Sequence, residues 1–113
     1  MHQSDIQLKW IGKSADDLRF FILSDGRHAG GITVHSIEEH AFSYGVAIAP
    51  AMRRKGTAKA ALPLLFERMA ARGFSLVQVQ IALENTASLA LHRSLGFHET
   101  ARSDHTVTMT RAI

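Results

Sequence analysis

The chain contains no cysteine. Disulfides, cysteine nucleophiles and thiolate zinc sites are therefore excluded, although the absence does not itself identify a compartment. No apolar run reaches the ~18 residues needed to cross a bilayer. The opening stretch MHQSDIQ is polar and lacks a signal peptide's apolar segment, so the expected location is cytoplasmic. Internal repeats, low-complexity tracts and linkers are also missing. At 113 residues the chain is long enough for one core and too short for two, so a single domain over residues 1–113 is expected. With 46% apolar and 20% charged residues it reads as a folded globular protein. The net charge of +3 and a pI near 9.8 permit an anionic ligand without choosing between nucleic acid, membrane and small phosphate compounds.

The first half reads as β-structure. Strands are expected over Asp5–Gly12, Leu18–Leu23, "HAGGITVHSI" and "AFSYGVAIA", with Asp25-Gly26 as a hairpin turn between the second and third. In the fourth strand Phe42, Tyr44, Val46 and Ile48 alternate with Ala41, Ser43, Gly45 and Ala47, which puts large and small side chains on opposite faces. Small residues leave room for something to lie close to the backbone. The second half changes period. Ala58, Ala61, Leu62, Leu65, Phe66 and Met69 recur at helical spacing between Thr57 and Arg72, with Gly73 as a cap and a kink expected at Pro63. Ser75–Leu83 is a strand, with Val77, Val79, Ile81 and Leu83 on one face. Asn85 can cap a short helix over Thr86–Leu95, with Ala87, Leu91 and Leu95 inward and Gly96 ending it. Asp104–Arg111 alternates again as the last strand. Strands first, then strand-helix-strand-helix-strand, predict an α/β or α+β domain with a mixed sheet.

"MRRKGTAKA" (Met52–Ala60) places three consecutive cations and a glycine at the junction of the fourth strand and the long helix. A charge run is often only a solvated turn. A helix N-terminus, however, exposes unpaired N–H groups and a partial positive charge, and glycine or alanine there lets an anion approach the main chain. The Gly-Lys-Ser/Thr ending of a nucleotide-binding P-loop is absent. "HSIEEH" suggests metal ligands, but its spacing does not fit His-Glu-x-x-His, so no metal is expected.

The succession "VAIAPAMRRKGTA", amphipathic helix, strand, "ENTASLALHRSLGF" and final strand resembles the GNAT acetyltransferase superfamily, closely from Tyr44 to Phe97. The family's phosphate-binding signature, Arg/Gln-x-x-Gly-x-Gly/Ala, is met by Arg53, Gly56 and Ala58. Its downstream signature is met by Asn85, Ser88, Gly96 and Phe97, with His92 where tyrosine is usual. The resemblance implies the GNAT fold, a twisted and mostly antiparallel mixed sheet that splays at the fourth strand. It implies acetyl-coenzyme A as co-substrate and direct attack by the primary amine of a small molecule or protein in a ternary complex. Main-chain groups of Val46, Ala47 and Ile48 would meet the pantetheine arm and the acetyl carbonyl. The turn Arg53, Arg54, Lys55, Gly56, Thr57 and Ala58 would hold the pyrophosphate, Asn85 and Ser88 would lie beside the arm, and His92 would be the acid for the leaving thiolate.

The pattern also departs from the family. One or two helices usually separate the first two strands, whereas here only Lys13–Asp17 does, so the acceptor site should be open or completed by another chain, with a homodimer as the first expectation. A glutamate that some relatives carry on the fourth strand is replaced by Phe42, and Glu38, Glu39 and His40 just upstream read as a solvated loop. The rival reading is a non-catalytic acyl-coenzyme A binding or interaction module. A nucleic-acid binder is disfavoured, because the cations cluster at one turn without an aromatic stacking platform.

Overall fold

The computed structural model describes residues 5–14 and 17–113. Its strands are β1 (Ile6–Ser14), β2 (Asp17–Ser24), β3 (Arg27–Glu38), β4 (Ala41–Ile48), β5 (Leu76–Ala82), β6 (His98–Arg102) and β7 (Thr106–Ala112). They form one sheet in the order β1-β2-β3-β4-β5-β7-β6. Neighbours pair antiparallel except β4 with β5, which are parallel. After β4 a short 3-10 turn (Pro50–Met52) leads into α1 (Thr57–Ala71), and α2 (Thr86–Ser94) follows β5. The expected mixed, mostly antiparallel α+β architecture is the one observed.

Local chemistry accounts for most of these elements. Asp25 (φ 51°) and Gly26 (φ 81°) both occupy the left-handed region that a two-residue hairpin turn of type I′ requires. β1 and β2 pair as far as Ser14 with Asp17, so only residues 15 and 16, which lie outside the described residues, separate the two strands. No helix fits between them. α1 ends in a Schellman arrangement: the Phe74 amide donates to the Met69 carbonyl (3.1 Å) and the Gly73 amide to the Ala70 carbonyl (3.0 Å). α2 ends in the same way, through Phe97 to His92 (3.0 Å) and Gly96 to Arg93 (3.0 Å). α1 is continuous through Pro63, which lies on its exposed side.

The core lies between α1 and one face of the sheet. Ala61, Leu62, Leu65, Phe66 and Met69 of α1 are buried together with Phe20, Ile22, Ile32, Val34, Phe42, Val77 and Met109 of the strands. Burying a side chain of this size contributes about 1.5–3 kcal/mol. Arg68 joins α1 to β1 by donating to the Leu8 carbonyl (2.8 Å) while its guanidinium lies over the Phe20 ring. On the opposite face, Phe21 and Ile11 are exposed, and among the described residues no helix covers them.

Two expectations are corrected. The sequence places the last strand at Asp104–Arg111, where β7 is found, but it gives no sign of β6, which pairs with β7 as a hairpin. β6 is an edge strand with all five residues exposed, so it carries no inside-outside alternation to reveal it. In α2 the buried residues are Leu89 and His92, whereas Ala87 is exposed and Leu91 and Leu95 are only half-buried. The helix is rotated so that His92 reaches the core and Ala87 faces a groove.

β4 and β5 pair only at Ala41 with Leu76 and Phe42 with Val77, and then diverge. Beyond that point β4 is held on its other side by β3. The Ala49 amide donates to the Ala29 carbonyl (2.8 Å), so Ala49 points its main chain toward β3, and by strand alternation so does Ala47. A Cβ on Gly30 would collide with the Ala47 carbonyl oxygen. Neither backbone can yield without breaking the ladder. Gly30→Ala should therefore destabilise the fold by about 1–3 kcal/mol, as overpacking does, seen as a lower urea midpoint. An unchanged midpoint would mean that the two strands separate easily here.

Candidate functional site

Two grooves approach the diverging half of β4. The first, of about 470 Å³, runs between the N-terminus of α1 and the outer side of α2, bordered by Ile48, Arg53, Gly56, Ala58, Ala87 and Leu91. The internal ladder of α1 begins with the Ala60 amide donating to the Gly56 carbonyl (3.0 Å), so the amides of Thr57, Ala58 and Lys59 have no partner within the helix. Arg54 (φ 63°) and Gly56 (φ 74°) both adopt left-handed conformations. For the non-glycine Arg54 that conformation costs about 1–3 kcal/mol. Arg54, Lys55 and Lys59 are exposed around these amides. Arg53 and Thr57 are more constrained. Arg53 Nε donates to the Ile48 carbonyl (3.1 Å), and the Thr57 hydroxyl, in a buried side chain, donates to the Met52 carbonyl (3.3 Å). Of these two, Thr57 can serve an anion only through its main chain. Free amides, glycine and surrounding cations fit a pyrophosphate.

The three β4 residues singled out in the sequence do not behave alike. Because Ala47 turns its main chain to β3, Val46 and Ile48 turn theirs into the gap left by β5. The Ile48 carbonyl receives Arg53 there, which agrees with this direction. Two amides, those of Val46 and Ile48, are thus available as donors to a carbonyl oxygen placed in the gap, while Ala47 contributes through its small side chain on the opposite face.

Asn85 caps α2, its side-chain oxygen accepting from the Ser88 amide (3.1 Å). Ser88 in turn meets His92. The Nδ1 of His92 lies 2.8 Å from the Ser88 carbonyl and 3.3 Å from its hydroxyl, and Nε2 lies 2.8 Å from the Tyr44 hydroxyl. A carbonyl can only accept, so Nδ1 carries the proton in the neutral ring, and Nε2 accepts from Tyr44. Both side chains are buried, among Phe66 and Phe97. Burial holds the His92 pKa below its ordinary 6.5, opposed by the Ser88 carbonyl. Burial also pushes the Tyr44 phenol well above its ordinary range, with Arg111 acting the other way. The Tyr44 partnership had no signal in the sequence, since the two residues are 48 positions apart. Ala87, expected to point inward, and Ala90, to which the sequence assigns no role, line the groove instead.

The second groove, about 410 Å³, lies on the uncovered face and is lined by Ile11, Arg19, Phe21, Thr33, Gly45 and Ala47 among others. It meets β4 at the stretch where the first groove ends. Glu38, Glu39 and His40 are exposed at the β3–β4 turn, where His40 Nδ1 lies 3.1 Å from the Gly73 carbonyl. Among the described residues no three His, Asp or Glu side chains converge as a metal site would require, and no helix is long and apolar enough to cross a membrane.

Comparison with known proteins gives this geometry a context. The family model described as "Acetyltransferase (GNAT) family" matches residues 1–97. The [ribosomal protein bS18]-alanine N-acetyltransferase of Escherichia coli is 28% identical over 82 residues, which are 73% of this chain and 55% of that protein. The chain thus spans about half the length of the curated relatives it matches. Among solved structures, mutant forms of the spermidine/spermine N-acetyltransferase SpeG of Vibrio cholerae superpose with a TM-score of 0.77 at 17% identity, over 87% of this chain and 68% of that one. A ribosomal L7/L12 α-N-protein acetyltransferase in complex with coenzyme A gives 0.77 at 19% identity, over 86% and 62%. These two likenesses show the fold.

The buried histidine has a consequence for stability. Its folded-state pKa lies below the unfolded value, so between the two the unfolded chain binds more protons and stability rises with pH. The contribution is complete above about 6.5 and is lost as pH falls toward the folded-state value. The urea midpoint should therefore be lower at pH 5.5 than at pH 7.5, and His92→Gln should flatten that slope. An equal slope in the variant would assign the effect to other groups.

Proposed function

The chain belongs to the acetyltransferase (GNAT) family, and we propose that it transfers an acetyl group from acetyl-coenzyme A to a primary amine by direct attack. The observation that carries this reading is that two grooves reach adjacent residues of the β4 segment that β5 leaves unpaired, one at Ile48 and the other at residues 45–47. A ternary complex needs donor and acceptor to arrive at one point from two sides. The pyrophosphate is held by the amides and cations from Arg53 to Ala58. The arm runs past Asn85 and Ser88, and the acetyl carbonyl lies against the amides of Val46 and Ile48. These fixed donors stabilise the oxygen as negative charge develops on it. The amine approaches across the uncovered face beside Ala47. His92 occupies the family's acid position, but a general acid must carry its proton toward the leaving atom. In the arrangement above, Nδ1 donates to the Ser88 carbonyl and Nε2 accepts from Tyr44, so neither nitrogen holds a free proton.

The acceptor is an amine of a small molecule or a protein. A screen scored by release of free coenzyme A thiol, with an alanine-starting peptide and spermidine among the amines, tests the reading. Thiol release with one of them is expected. Tight binding of acetyl-coenzyme A without release to any amine would favour a non-catalytic binding module instead. The same experiment carries a control on the site. Gly56→Ala places a methyl in open space at the groove, at a φ of 74°. Gly26→Ala does the same at a φ of 81° in the β2–β3 hairpin, which does not line the groove. Backbone strain of about 1–2 kcal/mol is common to both. Only Gly56→Ala should weaken coenzyme A binding by calorimetry, and equal effects would remove the turn from the site.

We also propose that a second copy borders the uncovered face, where Phe21 and Ile11 are 39% and 40% exposed. Closed symmetric pairs are the commonest homo-oligomers. Light scattering should find a dimer, and a monomer with full activity would overturn this.

A further inference from the structure

Past Phe42 the ladder between β4 and β5 is gone. On that side, two side-chain bonds hold the segment that supplies the Val46 and Ile48 amides. One is Arg53 Nε to the Ile48 carbonyl at its far end, and the other is the Tyr44 hydroxyl to His92 at its near end. The second ties β4 to α2 from the core side, because Tyr44 stands on β4 and His92 on α2, whose outer side forms one wall of the groove. Tyr44 is 8% and His92 4% exposed, so water does not readily replace either partner. The two rings stack with an interplanar angle of 22°, and Phe97 meets the imidazole edge-on.

Building on the acetyltransferase reading, we propose that His92 is a positioning residue. It accepts the Tyr44 proton and thereby fixes the distance between the amide-bearing half of β4 and the α2 wall, and it does not donate a proton to the leaving thiolate. The surroundings agree. Tyr44 and the Ser88 carbonyl engage the ring nitrogens, Phe66 of α1 and Phe97 contribute only apolar rings, and the charged group facing this cluster from β7 is a cation, Arg111, over Phe66. A further proton on Nε2 would reverse the Tyr44 bond, leave the phenol proton without this acceptor, and put a positive charge into a buried cluster that Arg111 already faces. His92 thus does for the splayed part of the sheet what a ladder hydrogen bond does elsewhere.

The test compares His92→Ala, His92→Gln, Tyr44→Phe and the double variant Tyr44→Phe/His92→Ala by acetyl-coenzyme A calorimetry and by kcat against pH. A positioning role predicts that His92→Ala and Tyr44→Phe each weaken acetyl-coenzyme A binding by about three- to tenfold, the scale of one hydrogen bond. The double variant should be little worse than either single one, and the shape of the pH profile should not change. His92→Gln keeps an acceptor for Tyr44 but has no proton to donate in this range, so it should recover most of the loss. An unchanged affinity with a kcat reduced about 100-fold or more, a lost limb of the profile and no recovery by glutamine would make His92 the acid and overturn the proposal. If His92→Ala does not fold, Tyr44→Phe decides by itself: weaker binding with an unchanged profile supports the strut, and unchanged binding overturns it. Affinity of the wild-type protein, measured first, keeps the readings apart. Binding without turnover would count against the transfer reading while leaving the strut to be judged on affinity.

Discussion

The divergence of β4 from β5 after two residue pairs is the constraint on which the site depends. A strand in the middle of a sheet normally bonds its amides to both neighbours. From Tyr44 onward β4 bonds to β3 alone, and the alternate groups, those of Val46 and Ile48, are left facing a gap. Such groups are costly when they are buried without a partner, so the gap suits a ligand that brings its own acceptors. A short connection through the Pro50–Met52 turn leads from β4 to α1, so that Ile48 borders the same groove as Gly56 and Ala58 at the helix terminus. One topological event thus leaves two neighbouring sets of main-chain donors, assigned in the proposed function to a carbonyl and an anion.

The uncovered face of the sheet follows from the length of one connection. Only residues 15 and 16 separate β1 from β2, so the chain has no material there with which to cover Phe21 and Ile11. An open face is an exposure of apolar surface, but it also gives direct access to the small residues Gly45 and Ala47 on β4. The same shortness that removes a wall provides an approach. On the buried side, Phe66, Phe97, Tyr44 and His92 form a connected ring cluster in which the Tyr44 hydroxyl and His92 Nε2 satisfy one another and the Ser88 carbonyl takes the Nδ1 proton. Mutual satisfaction is what allows a phenol and an imidazole to sit in an otherwise apolar core.

How much was legible in advance varied with the range of the interaction involved. The Asp25-Gly26 turn, the glycine caps Gly73 and Gly96, the Asn85 cap and the Thr57–Ala71 helix were all readable, because each depends on stereochemistry within a few consecutive residues. The turn of glycine, small residues and cations before α1 was readable for the same reason, since those residues act through their own backbone. β6 was not readable. As an exposed edge strand it has no buried face and so no alternation, and pairing with β7 alone makes it a strand.

The sequence by itself therefore determined the periods, caps and turns, and with them the order of the α-helices and of every strand except β6, together with the turn that suits an anion. Tertiary structure decided what those elements face. Which of Val46, Ala47 and Ile48 offers its amide to the gap depends on which pair of strands is bonded, a question that alternation along β4 alone leaves open. Whether His92 points at solvent or at a partner depends on the rotation of α2 against β4. That rotation is set by packing between residues 48 positions apart, which neither local propensity nor spacing encodes.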